Sequence, residues 1–429
     1  MQRIGGFAYV EGVLCCDGIP LTKIIEAGAD ETGRTPAYVY SETTLRENCH
    51  AVREAFPSAQ VRYAVKACMN IRILELLRRL GLGFDVVSHG EMARVARAGG
   101  RGEETTFAGV GKTDYDIFEA VRFGATIVVE RPEELPVIQL ATEQLGKQIR
   151  VLLRLRPGVD AHTHTGLTTG TENSKFGMPL DMVRHILKHR TDYPRLNVTG
   201  IHIHIGSQIE SPTSTVRALD VALPLIDRFH LSTIDIGGGF PVNYRETGSV
   251  TNIAAFGQAV RDAIGGRDVQ LLIEPGRYIT ANAGVLVMTV LSEENGYSPR
   301  RGWWRTVVCD TGMGSQMRPA LYDAYHQVWP VEECESPSPI PTSIAGPYCE
   351  STDFLARNRT NLPPGLRRGD RLVIMHTGGY GRAMAQHGYN GQGLGAELLV
   401  DRDRNVRVIA RRESFADQMT LEMLTDPLV

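Results

Sequence analysis

The chain has 429 residues, of which 42% are hydrophobic and 22% charged, and a formal net charge of −3. This length favours two domains, and the composition is typical of a globular protein. The near-neutral charge offers no basic field for nucleic acid or an anionic membrane, and no apolar run reaches the roughly 18 residues of a membrane span. Seven cysteines at irregular spacings form neither a disulfide framework nor a zinc pattern. We therefore expect a cytoplasmic protein that binds no nucleic acid, membrane or metal.

The first part of the chain alternates strands and helices. Strand-like pieces such as 37–40 precede Ser41, which we expect to cap a helix over 42–55. The pattern then predicts strands at 61–65, 83–87, 104–108, 125–130, 150–155, 199–205, 232–236 and 269–273. Amphipathic helices are predicted near 71–80, 90–98, 114–123, 132–146, 179–190, 213–229 and 251–264.

These strands are short, apolar and mostly without alternation, as a sheet buried on both faces requires. Eight of them interleaved with helices predict a (β/α)8 TIM barrel over residues 42–280, with the helix at 42–55 as the eighth helix. A doubly wound sheet is the alternative, but it would place its ligand at one switch point. Polar residues that could take part in catalysis or binding recur here after many strands, which favours the barrel.

The pattern changes after Thr280. Strands are predicted at 285–291, 304–308, 371–375, 397–400 and 406–411 without intervening helices, and turns and loops separate them. This second region is therefore expected to be an all-β sandwich or barrel. We expect it to comprise residues 281–429 together with residues 1–41.

A lysine stands where the first predicted barrel strand ends, in Val61-Arg62-Tyr63-Ala64-Val65-Lys66-Ala67. An amine in this position is expected to be poorly hydrated, and desolvation lowers the pKa of a lysine so that it can attack a carbonyl. Taken alone, Lys66 is better interpreted as a surface lysine at a strand end. The residues at the ends of the other strands favour a chemical role.

Working residues of barrel enzymes lie at the carboxyl ends of the strands. The second strand ends at Asp85 and runs into Ser88-His89-Gly90-Glu91, and the sixth contains His202 and His204 on one face. One or both histidines could point into the barrel mouth, although a lone strand histidine is often a hydrogen-bonded core residue. Gly206-Ser207 follows directly and offers a hydroxyl and close backbone approach.

The last two strands end in further polar or glycine-rich turns. Strand seven ends in Asp235-Ile236-Gly237-Gly238-Gly239-Phe240. The backbone N–H groups of these three glycines could surround a phosphate, since the loop after this strand is a common phosphate site. Strand eight ends in Glu274-Pro275-Gly276-Arg277. Glu274 and Arg277 could form a structural ion pair, but in a cofactor barrel Glu274 could keep a pyridine nitrogen protonated.

Together these residues resemble the fold-type III pyridoxal-phosphate-dependent decarboxylases, and within them the diaminopimelate decarboxylases. The resemblance covers nearly the whole chain. Its markers, in the family's order, are Tyr63-Ala64-Val65-Lys66, Phe84-Asp85-Val86-Val87-Ser88, Asn173-Ser174-Lys175-Phe176-Gly177, His204-Ile205-Gly206-Ser207, Gly237-Gly238-Gly239-Phe240, Glu274-Pro275-Gly276-Arg277, Arg318-Pro319-Ala320-Leu321-Tyr322, Cys349-Glu350-Ser351-Thr352-Asp353 and Gly378-Gly379-Tyr380-Gly381.

The resemblance implies an alanine-racemase-like barrel, a C-terminal β domain and a homodimer whose active sites lie at the subunit interface. It implies pyridoxal 5′-phosphate as the cofactor, held by Lys66, Asp85, His204, Ser207, Gly239, Glu274, Gly276, Arg277 and Tyr380. Lys66 would bind the cofactor as a Schiff base, His204 would stack on its ring, and Glu274 would pair with its nitrogen. The remaining contacts, apart from Asp85, would hold the phosphate.

The resemblance also implies how substrate is handled. Lys66, His204 and Cys349 would be the catalytic residues, with Cys349 of the neighbouring subunit returning a proton after CO2 leaves; a thiol titrates close enough to neutrality to act as an acid. The expected substrate-binding residues are Arg277, Arg318, Tyr322, Glu350 and Tyr380.

Charge predicts which amino acid the site takes. Guanidinium groups hold a carboxylate bidentately and an acid suits an ammonium. Two arginines, one acid and a tyrosine therefore match a tail with both groups, as in meso-diaminopimelate, with L-lysine as product. Alternatively, Arg318 pairs only with a neighbouring acid such as Asp323.

The chain departs from the family's usual residues at three places. Gly379 replaces the usual alanine, the segment from Gly312 to Met317 is not the commonest form, and Gly391 to Gly395 replaces a usual Ser-Arg-Pro. A decarboxylase of ornithine, lysine, arginine or a D-amino acid therefore stays open. A non-catalytic relative should have lost Lys66, Glu274 or Cys349, and a racemase would need a two-base site, so both are less favoured.

Overall fold

The structure, a computed structural model, describes residues 3–28, 34–160, 170, 174–245, 252–300, 302–386 and 388–422. The chain forms two compact units. The barrel unit comprises residues 46–242 and 250–279, and the β unit comprises residues 1–45, 243–249 and 280–429. No helix in the described ranges is long and apolar enough to span a membrane.

The elements are numbered in chain order. The strands are β1 (Arg3–Ile4), β2 (Phe7–Val10), β3 (Val13–Cys16), β4 (Ile19–Pro20), β5 (Ala37–Ser41), β6 (Gln60–Ala64), β7 (Gly83–Val86), β8 (Thr105–Phe107), β9 (Thr126–Val129), β10 (Ile149–Arg154), β11 (Leu196–His202), β12 (Thr233–Asp235), β13 (Gln270–Ile273), β14 (Gly284–Ser298), β15 (Gly302–Cys309), β16 (Val328–Pro330), β17 (Thr342–Ala345), β18 (Phe354–Arg359), β19 (Arg371–Ile374), β20 (Ala396–Val400) and β21 (Val406–Ala410). The α-helices are α1 (Leu21–Gly28), α2 (Glu42–Ala55), α3 (Ile71–Arg79), α4 (His89–Arg97), α5 (Asp114–Phe123), α6 (Glu134–Gln144), α7 (Leu180–Lys188), α8 (Thr213–Phe229), α9 (Ile253–Ile264), α10 (Arg277–Thr280), α11 (Arg318–Tyr322) and α12 (Phe415–Met419).

Strands β6 to β13 form a closed parallel barrel. Closure is made by β13 and β6, where Leu272 and Ile273 pair with Gln60 and Val61. Strand β9 is buried along its whole length, as expected for a sheet covered on both faces. The predicted TIM barrel is therefore confirmed, with α3 to α9 as the crossover helices and α2 before the first strand.

Helix caps set where the chain turns back from each strand end. Ser88 caps α4 by accepting a hydrogen bond from the Glu91 amide at 3.2 Å, and Thr113 forms a capping box with Asp116 at the start of α5. Ser41, predicted as a cap, accepts from the Thr44 amide at 3.0 Å at the start of α2. The Ser88 cap lies in the loop that directly follows β7, the strand that carries Asp85.

The β unit contains a nine-stranded sheet and a separate four-stranded sheet made of β1 to β4. In the larger sheet the order is β18-β17-β15-β14-β5-β20-β21, with β19 paired to β14 and β16 paired to β19. One core cluster joins residues of both sheets, among them Phe7, Leu14, Val39, Trp329 and Leu398. The expected all-β architecture is confirmed, but the expectation of strands without helices was incomplete, because α1, α11 and α12 also lie in this unit.

Candidate functional site

The barrel lysine forms an ion pair at the carboxyl end of the barrel. Strand β6 ends at Ala64, and Lys66 lies in a short 3-10 helix directly after it. The Lys66 Nζ atom is 3.0 Å from Oδ2 of Asp85, whose side chain is fully buried, while the Lys66 side chain is 38% exposed. The structure thus corrects one part of the sequence argument: the amine is paired with a carboxylate at the barrel mouth instead of being desolvated.

Three buried titratable groups lie together at the ends of β11, β12 and β13. Nε2 of His202 is 3.3 Å from Oε2 of Glu274, and the ligand atoms of these residues and Asp235 lie within 4.8 Å of one another. Burial raises the pKa of Glu274, raises that of Asp235 to about 7 and lowers that of His202 to about 4. These three groups are close enough to hold a metal ion. Protonated carboxyls and a neutral imidazole could equally well form hydrogen bonds with one another.

Glu274 keeps one oxygen for another partner. Its Oε1 atom is buried and makes no hydrogen bond with any described residue. A buried acceptor without a donor is costly, so such an atom indicates a group that the site is built to receive. The expected partner, the protonated nitrogen of a pyridine ring, is a donor of the required kind.

The glycine-rich turn after β12 differs in detail from the expected phosphate cradle. The Gly237 amide donates to Oδ1 of Asp235 at 2.9 Å, and the Gly238 amide donates to Nδ1 of His204 at 3.3 Å. Two of the three glycine amides therefore bind within the barrel, leaving Gly239 as the remaining candidate for the phosphate. Since Nδ1 of His204 accepts, its imidazole is neutral there, and burial lowers its pKa.

Glycine is required in this turn because backbones approach closely. A Cβ atom at Gly238 would lie 2.2 Å from the carbonyl oxygen of Glu274. At Gly239, where φ is +96°, it would lie 2.5 Å from the carbonyl oxygen of Gly206. The turns after β11, β12 and β13 are consequently packed backbone to backbone.

The two other expected phosphate contacts are brought together. Nη2 and Nε of Arg277 lie 3.1 and 3.3 Å from Oγ of Ser207, and Arg277 is 6% exposed. Gly276 permits this turn to pack on β6, because a Cβ atom there would lie 3.1 Å from those of Ala64 and Ala67. A hydroxyl beside a buried guanidinium is a suitable pair of donors for an anion.

The other expected residues lie in the β unit. Cys349 and Glu350 are exposed and form part of the loop between β17 and β18. The buried Asp353 carboxylate fixes this loop by accepting from the Met313 amide at 2.6 Å and the Tyr348 amide at 2.9 Å. The Cys349 amide donates to Oδ1 of Asn390 at 2.8 Å.

The unusual residues noted in the sequence surround this loop. A Cβ atom at Gly314 would lie 1.9 Å from the Tyr348 hydroxyl oxygen, and the Tyr348 ring stacks on that of Tyr389 with centroids 5.7 Å apart. Asn390 and Gly391 have φ values of +52° and +68°. Two departures from the family's usual residues thus belong to one local packing arrangement around Tyr348.

Arg318 begins α11 and is 5% exposed. Its guanidinium lies over the Tyr244 ring, 4.7 Å from the centroid, and its Nη1 atom is 2.9 Å from Nε2 of His326. The alternative, in which Arg318 pairs only with an acid such as Asp323, does not account for the contacts with Tyr244 and His326. Tyr322 ends α11 and is partly exposed.

Tyr380 lies in a stretch with an unusual backbone. Tyr380 has φ +61° and His376 has φ +58°, and bulky residues rarely adopt this left-handed region. Strained residues of this kind often occur at functional sites, where the surrounding structure holds them. Gly378 is needed beside them, since a Cβ atom there would lie 2.1 Å from the Thr280 carbonyl oxygen.

Sequence reasoning missed three features of these sites. It quoted Asp235 only as the end of a strand, although a carboxylate at a barrel strand end was a sufficient signal. It gave no role to His326 or Tyr244, which contact Arg318 only through the tertiary fold. Asn173, part of one marker, lies outside the described residues.

Fold and site together define a class of protein: a (β/α)8-barrel enzyme whose strand-end lysine and buried carboxylates suit a carbonyl cofactor. A family model described as the pyridoxal-binding domain of pyridoxal-dependent decarboxylases matches residues 42–281. The chain belongs to this family of pyridoxal-dependent decarboxylases.

Similar proteins extend over nearly the whole chain. A diaminopimelate decarboxylase of Neisseria meningitidis serogroup A is 38% identical over 418 residues, which cover 96% of this chain and 99% of the relative. The structure of diaminopimelate decarboxylase from Helicobacter pylori complexed with L-lysine has a TM-score of 0.84 at 32% identity, covering 91% of this chain and 98% of the other. The M. jannaschii diaminopimelate decarboxylase in co-complex with L-lysine has a TM-score of 0.89 at 28% identity, covering 99% of each chain.

The barrel residues fit pyridoxal phosphate. The unpaired Oε1 of Glu274 suits the nitrogen of the pyridine ring, and the Ser207 hydroxyl beside the Arg277 guanidinium offers donors for a phosphate. Lys66 would supply an amine for the aldehyde of the cofactor. When bound, this cofactor supplies an electron sink for the electron pair left behind by a departing carboxyl group.

Proposed function

We propose that the chain decarboxylates meso-2,6-diaminopimelate at its D-configured centre, giving L-lysine and CO2, with pyridoxal 5′-phosphate as cofactor. The observation that carries this proposal is the similarity to diaminopimelate decarboxylases over 96% of the chain. It is supported by the resemblance to two such enzymes whose structures hold L-lysine. Family membership alone would support only decarboxylation of an amino acid.

The barrel unit holds the cofactor in this proposal. Lys66 bonds to the cofactor and Asp85 holds its amine, His204 lies on the ring, and Glu274 accepts from the ring nitrogen. The phosphate is held by Ser207, Gly239, Gly276 and Arg277 of the barrel unit and by Tyr380 of the β unit. Burial of Asp85 and Glu274 strengthens the electrostatic contacts that these two carboxylates make.

Apart from Arg277, the residues that bind the far end of the substrate and return the proton belong to the β unit. The Cys349 thiol donates a proton to the carbon from which CO2 has left, which is a general-acid role. Arg277 and Arg318 bind the distal carboxylate, Glu350 binds the distal ammonium, and Tyr322 and Tyr380 flank the substrate.

The domain arrangement and the dimer belong to the same proposal. Residues 42–280 form the cofactor-binding domain, and residues 1–41 with 281–429 form the β domain. In the single chain Cys349 and Glu350 are exposed, although a catalytic acid works best where water is excluded. A second subunit that covers this loop would complete each active site in a homodimer.

The direct test is absorbance and turnover. Reconstituted protein should absorb near about 420 nm, the region of a lysine-bound pyridoxal cofactor, and Lys66→Ala should lose this band. Turnover should be measured on meso-diaminopimelate, lysine, ornithine, arginine and their D-forms. A colourless wild-type protein would contradict the cofactor assignment, and preference for ornithine or lysine would contradict the substrate.

A second candidate is a decarboxylase of another amino acid. The departures around Tyr348 favour it, because Gly314 and the left-handed Asn390 and Gly391 shape the loop that carries Cys349. The Arg318→Ala variant separates the two candidates. It should raise KM sharply only for a substrate with a distal carboxylate.

Mixed subunits test the shared site. Lys66→Ala and Cys349→Ala chains are each expected to be nearly inactive, but a mixed dimer has one site with both residues intact. Activity should therefore return when the two variants exchange subunits. If no activity returns although exchange is demonstrated, each site is built within one chain.

A further inference from the structure

His326 is buried beside Arg318 in a defined protonation state. Its Nδ1 atom is 2.8 Å from the Met375 carbonyl oxygen, and its Nε2 atom is 2.9 Å from Nη1 of Arg318. A carbonyl can only accept and a guanidinium can only donate, so Nδ1 carries the hydrogen and Nε2 the lone pair. His326 is therefore a neutral imidazole that accepts a hydrogen bond from Arg318.

The surroundings leave this imidazole little freedom. His326 has no exposed surface, and its ring packs edge-on against Tyr244 with centroids 4.9 Å apart. The His326 carbonyl oxygen accepts from Nη2 of Arg359 at 3.0 Å, and Nε2 of Gln316 lies 2.9 Å from the same imidazole nitrogen that faces Arg318. Contacts thus fix the backbone, the ring face and both ring nitrogens of His326.

Arg318 is in turn held on two sides by groups that carry no charge. The Tyr244 ring lies against the face of its guanidinium, and His326 takes one of its five N–H donors. A carboxylate in the position of His326 would orient the guanidinium equally well but would neutralise its charge. A neutral acceptor orients the guanidinium and preserves its attraction for an anion.

We propose that His326 is a positioning residue, which aims Arg318 at the distal carboxylate of the substrate and thereby sets the preference for a dicarboxylic amino acid. The inference rests on the proposed function, because it takes Arg318 as the group that binds this carboxylate. His326 itself does not touch the substrate. Its contribution should appear only for ligands that carry the distal carboxylate.

Two substitutions separate the functions of the two imidazole nitrogens. In His326→Asn the side-chain amide reaches the position of Nδ1 and can still donate to Met375, but it cannot accept from Nη1 of Arg318 as Nε2 of His326 does. In His326→Gln the amide oxygen reaches the position of Nε2 and can still accept from Arg318. The proposal requires the Gln variant to retain the preference and the Asn variant to lose it.

The measurement uses holoenzyme and two ligands of nearly equal shape. L-Lysine, the product, keeps the carboxylate of the distal centre, whereas 1,5-diaminopentane lacks it. His326→Asn should weaken L-lysine inhibition about tenfold or more, the usual effect of losing a hydrogen bond to a charged group, and leave 1,5-diaminopentane unchanged. KM for meso-diaminopimelate should rise in parallel with little change in kcat, and His326→Gln should stay within about threefold of wild type on both ligands.

A double-mutant cycle tests whether His326 acts through Arg318. In an Arg318→Ala background, His326→Asn should have almost no further effect on L-lysine inhibition, because the interaction it removes is already absent. Additive losses would overturn the inference. Cofactor absorbance and Tm show that each variant is folded, and if His326→Asn does not fold, a tenfold loss of L-lysine affinity in folded His326→Gln overturns it.

The outcomes distinguish this inference from the proposed function. Wild-type enzyme that neither turns over meso-diaminopimelate nor binds L-lysine better than 1,5-diaminopentane would overturn the proposed function. Wild-type enzyme that does both, with His326→Asn indistinguishable from it, would overturn the role of His326 alone.

Discussion

The two units hold their candidate functional residues in different ways. In the barrel unit Asp85, His202 and Asp235 belong to buried strands, and Glu274 directly follows one, so the hydrogen-bonded ladder fixes their backbone. In the β unit Cys349 lies on an exposed loop and Arg318 begins a five-residue helix, and side chains such as Asp353 and His326 fix these segments. A strand end needs no further support, whereas a loop needs a dedicated side chain for each residue that it positions.

The two units also differ in the burial of their carboxyl groups and in the resulting pKa shifts. Burial raises the pKa of the barrel carboxyls Asp235 and Glu274, because no solvent stabilises their charged forms. The Glu350 carboxyl is exposed, and hydrogen bonds from Thr352 lower its pKa. The barrel can therefore hold or share protons near neutrality, while the Glu350 carboxyl of the β unit stays ionised.

The largest effect is expected from the loop cysteine. Cys349→Ala should leave cofactor absorbance unchanged and reduce the rate of correctly protonated product about 10²–10⁴-fold, the usual contribution of a general acid. Steady-state turnover and product analysis measure this effect. Cys334→Ala, which changes a partly exposed cysteine of the same unit, is the matched control. Wild-type turnover in Cys349→Ala would mean that the thiol only packs.

The next effect tests the buried carboxylate. Glu274→Gln keeps the side-chain shape and a group facing His202, but a neutral amide stabilises a developing charge poorly. We expect cofactor binding to persist and kcat to fall about 10²–10³-fold. Glu210→Gln, at an exposed position of the barrel unit, should have no effect on kcat. Equal kcat values for Glu274→Gln and wild type would remove this residue from the chemistry.

A smaller effect is expected from the close backbone contact. Gly238→Ala places a Cβ atom 2.2 Å from the Glu274 carbonyl oxygen and should reduce the free energy of unfolding by about 1–3 kcal/mol. Gly266→Ala, where no atom lies within 4 Å of the added Cβ, is the control and should change it by at most about 0.5 kcal/mol. Denaturant unfolding measures both. Equal free energies of unfolding would show that the Gly238 and Glu274 backbones can move apart without loss of stability.

The smallest effect concerns pH. The pKa of Asp235 is about 7 in the folded protein and that of an unfolded aspartate is about 3.9, so the folded state binds this proton more tightly. Its stabilising contribution is complete below pH about 4 and is lost as the pH rises to about 7. The free energy of unfolding of Asp235→Asn, relative to that of wild type, should therefore increase by about 1 kcal/mol or more between pH 5 and pH 8.

Unfolding at both pH values measures the effect of Asp235→Asn. The asparagine oxygen can still accept from the Gly237 amide, so the change mainly removes the charge. Asp181→Asn, at a position where the side chain is 95% exposed, is the control. A difference from wild type that does not vary with pH would contradict the raised pKa.

The barrel could be predicted from sequence because burial on both faces leaves continuous apolar strands. Predicted and observed strand bounds agree to within a few residues, from 61–65 against Gln60–Ala64 to 269–273 against Gln270–Ile273. The strands β1 to β4 and β16 to β18 were not assigned bounds, because they do not alternate with amphipathic helices that mark where each strand begins and ends. Helix α11 was not predicted, although Pro319 lies in its first turn, where proline is favoured.

The site was predictable to the extent that strand ends determine it. Lys66, Asp85 and Glu274 each follow or end an apolar strand, so their grouping at one end of the barrel follows from the fold class. The ion pair of Lys66 with Asp85 and the contact of Arg318 with His326 depend on side-chain directions that spacing does not determine. The catalytic and binding roles themselves stay predictions, which the variants above test.

Strand β5 has a consequence for how the chain folds during synthesis. It lies in the interior of the larger sheet, antiparallel to β14 and parallel to β20, although it leaves the ribosome before any barrel strand. At about 5–20 residues per second its second partner emerges on the order of tens of seconds later. During that time the apolar 37–40 segment has an unpaired edge, and pairing so distant in sequence forms slowly. We expect the barrel to fold first during translation and chains that stop before β20 to aggregate through this segment.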